Sequence, residues 1–419
     1  MFDILLHEVR LMDGRLVDVA IADGVIAAVN DHQHNPLPHS AKQLLAGKGR
    51  LLLPAFVNGQ LHSCKVFWRR GLEQLPAAQQ ALPRFEAAHF VKQRYQPEEV
   101  YARVDEVMRL AIRQGSCAIR LFADVDEASG LRALEALLQI RQRYQAYMQV
   151  QVIAFPQDGV SAATEKLMHE AMERGADGVG GIPWIEADSA AQRAHTDMCI
   201  ALAQAHHAPL HMVCDDTTNP DSRTLEYLAE QVIAAGMQGQ VAATQCAALA
   251  FYDDAYAAQV IAKVKAAELT IFSNSQVSLV TTEADREPYP RGITRVRALL
   301  EAGVPVACAQ DDIDNWYYPF GRNDMLEVAQ FMAHTANLAW PQDIAKVLPM
   351  VTQVPATLLG LQRYPMHMQP DDSADVVLLE AADWHSALQF QAPRRYVILR
   401  GQLVAENKLH STMYLEPSV

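Results

Sequence analysis

Apolar and polar positions change rhythm twice along this chain. The first fifty residues alternate in short runs, Phe2 to Val9, Leu16 to Ile21 and Val25 to Val29, which predict strands. Asp23-Gly24 separates the last two, and that dipeptide between apolar runs signals a tight hairpin. Residues 31–44 are polar and contain His32, His34 and His39. A metal-binding tract would need more regular spacing, so this stretch reads as a solvated loop.

The middle of the chain follows another rule. Short apolar runs recur at Leu53–His62, Ala118–Ala123, Gln149–Phe155, Gly178–Ile182, Pro209–Cys214, Val241–Gln245, Leu269–Ser273 and Val304–Ala309. Helical patterns separate most of them. One begins at Pro97 with Glu98 and Glu99 in its first turn, where carboxylates suit the helix dipole. Another runs from Ala162 to Arg174 and stops at Gly175. Strands alternating with helices imply a parallel sheet with right-handed crossovers. Eight such units over about 300 residues predict an α/β fold, a (β/α)8 TIM barrel. The competing architecture, a doubly wound sheet, lacks a GxGxxG opening a helix.

Beyond residue 365 strands return, at Ala374–Leu379, Tyr396–Val404 and Thr412–Leu415. Neither β-rich end can bury its own apolar face, so the two are expected to pair. The predicted organisation is a small β-sandwich from residues 1–54 and 365–419 around a barrel of residues 55–364.

Composition narrows the function. The chain has 419 residues, half of them hydrophobic, which excludes a disordered or collagen-like protein. Its 49 acidic and 35 basic residues give a net charge of −14. That balance disfavours nucleic acid and anionic membrane partners and suits small uncharged or cationic ligands. No apolar run is long enough to span a bilayer, and Met1-Phe2-Asp3 does not open a signal peptide, so a cytoplasmic location is expected. The six cysteines are scattered without a CxxC pair and are expected to be thiols.

Barrels carry their chemistry at the C-terminal ends of their strands. The polar clusters there are Asn58 to Lys65, His211 to Asp216, Thr244 to Cys246 and Gln310 to Asp312. A strand period of two puts Gln60, His62 and, if the strand continues, Cys64 on one face.

Leu53-Pro54-Ala55-Phe56-Val57-Asn58-Gly59-Gln60-Leu61-His62 resembles the first-strand signature of the amidohydrolase superfamily, P-G/P-F-V-D/E-x-H-x-H. Three further segments resemble its cytosine deaminase branch. Ala154-Phe155-Pro156-Gln157-Asp158-Gly159 is similar to A-F-P-Q-E-G. Arg291-Gly292-Ile293-Thr294-Arg295-Val296 is similar to R-G-I-T-R-V. Gln310-Asp311-Asp312 with Tyr318-Pro319-Phe320-Gly321 is similar to H-D-D…Y-P-L-G. Lys65 matches the lysine of a related H-L-D-K variant. The likeness runs in order along nearly the whole chain.

The resemblance implies a barrel beside a small β-sandwich and hydrolysis of C–N bonds in small N-heterocycles by a homo-oligomer. It also implies one divalent metal, zinc or iron, that turns water into hydroxide. Carried over residue by residue, the first histidine of the metal pair becomes Gln60, the second is His62, and the strand-five histidine becomes Val213. The proton-shuttling glutamate becomes Asp216, the strand-six histidine becomes Gln245, and the strand-eight aspartate is Asp311. Two of four metal ligands, His62 and Asp311, therefore remain, against the three that a catalytic zinc normally needs. Cys64 replaces a family aspartate and is a candidate third ligand. Gln157 matches a glutamine that bonds the pyrimidine edge, and Asp312 matches a carboxylate beside the base. Trp316 and Tyr317 fall where the family has an aromatic near the pocket.

The reading is a divergent cytosine deaminase-like amidohydrolase with a remodelled metal centre, expected to hold either no metal or one. The alternatives are a pseudoenzyme that binds a heterocycle without turnover, or a metal-independent enzyme. The latter would use Cys64 as nucleophile and His62 as base, with Asp311 orienting the imidazole.

Overall fold

The computed structural model describes residues 1–72, 77–80, 82, 84–281 and 287–414. The chain divides into two compact units, one of residues 1–55, 112–115 and 363–419, the other of residues 56–111 and 116–362.

The first unit opens with β1 (Phe2–Arg10), β2 (Leu16–Ala22), β3 (Val25–Asp31) and β4 (Ala41–Pro54). Asp23 and Gly24 both have positive φ (52° and 80°), and Ala22 pairs with Val25. This is the hairpin turn whose twist matches that of the strands it joins. The loop at residues 31–44 is shorter than expected, because strand begins again at Ala41.

The second unit is the predicted barrel. Its strands are β5 (Phe56–Leu61), β6 (Ser116–Asp124), β7 (Gln149–Phe155), β8 (Gly178–Gly181), β9 (Leu210–Cys214), β10 (Val241–Gln245), β11 (Thr270–Phe272) and β12 (Val306–Ala307). They pair in sequence order, all parallel. The ring is drawn together past β12, where Leu61 bridges Asp311. There the His62 N–H donates to the Asp311 carbonyl at 2.7 Å and the Asp311 N–H to the Gln60 carbonyl at 3.0 Å. Every residue of β6 is buried, as expected for a parallel strand covered on both faces. Helices follow the strands, among them Pro97–Arg113, Arg132–Tyr144, Ala162–Glu173 and Ser189–Ala205. Ser161 and Asp188 cap the last two through side-chain oxygens.

Returning to the first unit, β13 (Val376–Leu379), β14 (Arg394–Leu399) and β15 (Gln402–Glu406) complete a seven-stranded sheet in the order β15-β14-β13-β4-β1-β2-β3. Ile4, Leu6, Val19 and Ile21 from one half share a core with Val376, Leu378 and Ile398 from the other.

Three further segments differ from expectation. The apolar run Leu53–His62 is two strands, because residues through Pro54 pair with β13 and residues from Phe56 pair with β6. The run Tyr396–Val404 is a hairpin turning at Arg400-Gly401, both with positive φ. Thr412 to Tyr414 form no strand, and Leu415 lies outside the described residues. Among the described residues no helix is long and apolar enough to cross a membrane.

Candidate active site

The C-terminal ends of β5, β7, β8, β9, β10 and β12 surround one cavity. Its walls include His62, Gln157, Trp184, Val213, Asp216, Gln245, Asp311 and Asp312. Its volume is about 150 Å³. A cavity of about that size accommodates one benzene-like ring.

Asp311 is the hub. Its backbone has positive φ (65°), at the point where the chain leaves the β12 end of the barrel. The Gln60 amide donates to Oδ1 at 2.9 Å and the Gln245 amide to Oδ2 at 2.6 Å. Both glutamines are oriented from behind. The Gln60 carbonyl accepts from Asn274 at 2.9 Å, and the Gln245 carbonyl from Ser278 at 3.2 Å. These bonds direct both N–H2 groups at Asp311. His62 Nε2 lies 3.6 Å from Oδ1. Burial, with the neighbouring Asp312 and Asp216, pushes the Asp311 carboxyl well above its ordinary range.

The flanking carboxyls are raised as well. Burial, then Asp312, brings Asp216 to about 6. Burial brings Asp312 to about 6 against the opposing pull of Lys65 and a 2.6 Å bond from Asn315. Adjacent Asp215 has a structural place. It takes the N–H groups of Thr224 and Leu225 at 2.8 and 2.9 Å and so anchors a helix start, outside the cavity wall.

Lys65 is the cation of the site. It is 1% exposed, 3.1 Å from Asp124 Oδ1 and 3.3 Å from His62 Nδ1, and it donates to the Gln157 carbonyl. Burial opposes its charge, but Asp124 and Asp312 outweigh that and hold its pKa above the ordinary lysine value. Burial, Lys65 and His211 together press His62 well below 6.5, so its ring is neutral at pH 7.

The sequence-derived candidates separate accordingly. His62, Gln157, Val213, Asp216, Gln245, Asp311, Asp312 and Tyr317 line the cavity together, and Gln60 stands behind Asp311. Trp316 does not line it and instead packs edge-on against Trp68 at 5.1 Å. Cys64 does not line it either. The strand ends at Leu61 and Ser63–Lys65 forms a 3-10 turn, so the parity that placed Cys64 beside His62 fails and Lys65 takes that place. The Cys64 thiol points to the Phe122 carbonyl, accepts from the Asp124 N–H, and is pushed up to about 12 by burial and Asp124. It is poorly suited to act as a thiolate nucleophile or ligand. His211 sits in the barrel interior against Arg120, at 3.3 Å, and does not reach the cavity.

Sequence reasoning missed Trp184, Ile182, Val277 and Thr281 as cavity walls and Asn274 and Ser278 as orienting groups. Trp184 had a usable signal, an aromatic just past the end of an apolar strand. Arg295 of the Arg291–Val296 motif is structural, bonding the Leu249 and Tyr252 carbonyls and Asp254.

Comparison with known proteins gives this geometry a context. The amidohydrolase family profile matches residues 68–405. The chain is 25% identical over 382 residues to N-isopropylammelide isopropyl amidohydrolase of Pseudomonas sp. strain ADP, covering 88% of this chain and 90% of that protein. It is 26% identical over 399 residues to a pterin deaminase of Rhizobium rhizogenes, covering 92% and 87%. Its fold superposes on 5-methylcytosine deaminase of Klebsiella pneumoniae with a TM-score of 0.90 and 28% identity, covering 98% and 99%. The chain belongs to the amidohydrolase family, as a cytosine deaminase-like member.

Proposed function

We propose that this chain is a divergent cytosine deaminase-like amidohydrolase that hydrolyses a C–N bond of a small N-heterocycle through carboxyl groups rather than a complete metal centre. The observation that carries the reading is the convergence of Asp216, Asp311 and Asp312 on one cavity of single-ring size. The relatives are named for action on isopropylammelide, pterin and 5-methylcytosine, which supports the substrate class.

The residues at the family's metal positions do not fit a divalent cation. Val213 has no donor atom. Gln60 and Gln245 present N–H2 groups to both oxygens of Asp311, and an N–H cannot ligate. His62 and Asp311 alone fall short of the usual three protein ligands.

In this reading Asp216 is the general base. A carboxyl raised to about 6 is largely ionised at pH 7 yet basic enough to take a proton from water attacking the ring carbon. It then returns that proton to the departing amine. With its carbonyl held by Lys65, Gln157 offers its amide N–H2 to a ring carbonyl or nitrogen. Trp184 and Tyr317 supply planar walls. A second reading, heterocycle binding without turnover, is favoured by one observation: both Asp311 oxygens are already occupied by amide donors.

The test is ammonia release from a panel of amino-substituted single-ring heterocycles, with and without chelator. Expected is turnover that survives chelation, rises through about pH 6, and drops roughly 100-fold or more in Asp216→Asn. Turnover that needs added zinc would overturn the metal-free reading. Ligand-induced thermal shifts without ammonia release would establish the second.

A further inference from the structure

Another histidine–aspartate cluster lies outside the cavity and serves no part of the chemistry above. Asp18, on β2, is fully buried. The Glu8 N–H donates to its Oδ1 at 2.9 Å and the Leu37 N–H to its Oδ2 at 3.0 Å. The first contact comes from a bulge in β1, where register shifts between Leu6 and Val9 and Glu8 has φ 58°. Two imidazoles approach the same Oδ1, His7 Nδ1 at 3.1 Å and His32 Nδ1 at 2.9 Å. His39 packs edge-on against the opposite partner of this pair, its ring 4.5 Å from that of His7. His32 and His39 lie in the polar stretch of residues 31–44, whose irregular histidine spacing predicts a solvated loop.

Two features point to a ligand here. The first is spacing. The donor atoms of His7, Asp18 and His32 all lie within 4.8 Å of one another. Ligands about 2.0 Å from a tetrahedral zinc stand about 3.3 Å apart, close to the 3.1 and 2.9 Å observed. The second is an unsatisfied group. His7 Nδ1 is buried and, among the described residues, makes no hydrogen bond, despite facing a carboxylate. A buried polar atom without a partner needs a physical reason. A cation between His7, His32 and Asp18 supplies one, and the Leu37 N–H on Oδ2 holds the carboxylate in the orientation such a ligand requires.

We propose that His7, Asp18 and His32 form a structural site for a divalent transition cation of the zinc type, with a position left for water. The donor set is two imidazoles and a carboxylate, which suits zinc and also nickel or copper. The cation clips β1, β2 and the loop after β3 together. Because it binds the folded unit and not the open chain, it raises stability by mass action.

The experiment uses the full chain, stripped of metal and titrated with zinc by calorimetry, with cobalt as a visible-absorption probe. The paired substitution His7→Gln/His32→Gln removes both imidazoles but keeps N–H donors for Asp18, and circular dichroism without metal checks that it folds. Expected is one zinc equivalent per wild-type chain, kept in His62→Ala and weakened about 100-fold or more in His7→Gln/His32→Gln. Zinc should raise the melting temperature of the wild type and not of that variant. The proposal is overturned if the wild type takes up no zinc, if the His7→Gln/His32→Gln protein keeps the equivalent, or if His62→Ala loses it.

Discussion

Asp18 and Asp311 are both buried aspartates ringed by nitrogen donors, yet their surroundings drive them in opposite directions. Burial alone would raise either carboxyl. At Asp18 two backbone N–H groups and His32 outweigh burial and hold the group below its ordinary value. At Asp311 the donors are side-chain amides, and burial is reinforced by Asp312 and Asp216, of the same sign. The first arrangement stabilises an anion that ties backbone together. The second tolerates a carboxyl whose charge is costly, which is the state suited to moving protons. Hydrogen bonds to the carboxylate overcome burial at Asp18, whereas at Asp311 burial and like charges together overcome the amide bonds.

The sharpest way to break the contrast is to turn the Asp311 cluster into a ligand set. Gln60→His, Val213→His and Gln245→His with Asp216→Glu would restore imidazoles at the positions the family resemblance assigns to metal and its assisting base. The expected outcome is a new zinc equivalent at the cavity, with affinity at least about 1,000-fold above that of the Gln60/Val213/Gln245 parent, or ~4 kcal/mol. Calorimetry in the His7→Gln/His32→Gln background isolates it. Failure to gain zinc would mean that the residues behind Gln60 and Gln245, Asn274 and Ser278, no longer suit imidazole.

The two clusters were not equally legible. The barrel was readable because each strand is a short apolar run followed by a helical pattern, and its polar ends are marked in sequence. His62, Asp216 and Asp311 fall in those ends, and Gln157 was reached through the family resemblance. Lys65 could be matched to a family lysine, but its place in the site could not. Its burial depends on Asp124, which stands 59 positions on and meets it only in the fold. Cys64 was placed by strand parity, and one 3-10 turn was enough to cancel it. The Asp18 cluster gave still less warning. His7, Asp18 and His32 sit on separate elements, and the β1 bulge that supplies the Glu8 N–H has no marker in residue type. β4 was missed over Ala41–Leu52 because its lysines and glycines break the alternation that marks a strand.

Stability separates the aspartates next. Asp18→Ala leaves the Glu8 and Leu37 N–H groups without acceptors in the core, and His7 and His32 without their shared partner. The expected cost is about 3–5 kcal/mol in urea unfolding at pH 7. Asp311→Asn removes a charge that repels Asp312 and Asp216 but turns an amide N–H2 toward the Gln60 or the Gln245 donor, and the expected net cost is smaller, about 1–2 kcal/mol. Equal losses at the two sites would remove the distinction drawn between them.

The smallest effect is the most direct on charge, because it reads the sign of the pKa shift. Asp312, beside Asp311, is raised from an ordinary 3.8 to about 6 when folded. The folded chain therefore holds a proton that the unfolded chain has lost between those values. The stabilisation linked to that proton is complete below pH 4 and disappears as pH rises through about 6. Asp18 has the opposite sign, its contribution being present at neutral pH and lost as pH falls below the ordinary carboxylate range. Asp312→Asn keeps an oxygen for the Asn315 amide but cannot titrate. Unfolding free energy measured from pH 4 to 7 should fall less steeply in this variant, by on the order of 1–3 kcal/mol across the range. A slope unchanged by the substitution would mean that solvent in the cavity reaches Asp312 and relieves its burial, and the case for a proton-handling carboxyl cluster would then rest on Asp216 and Asp311 alone.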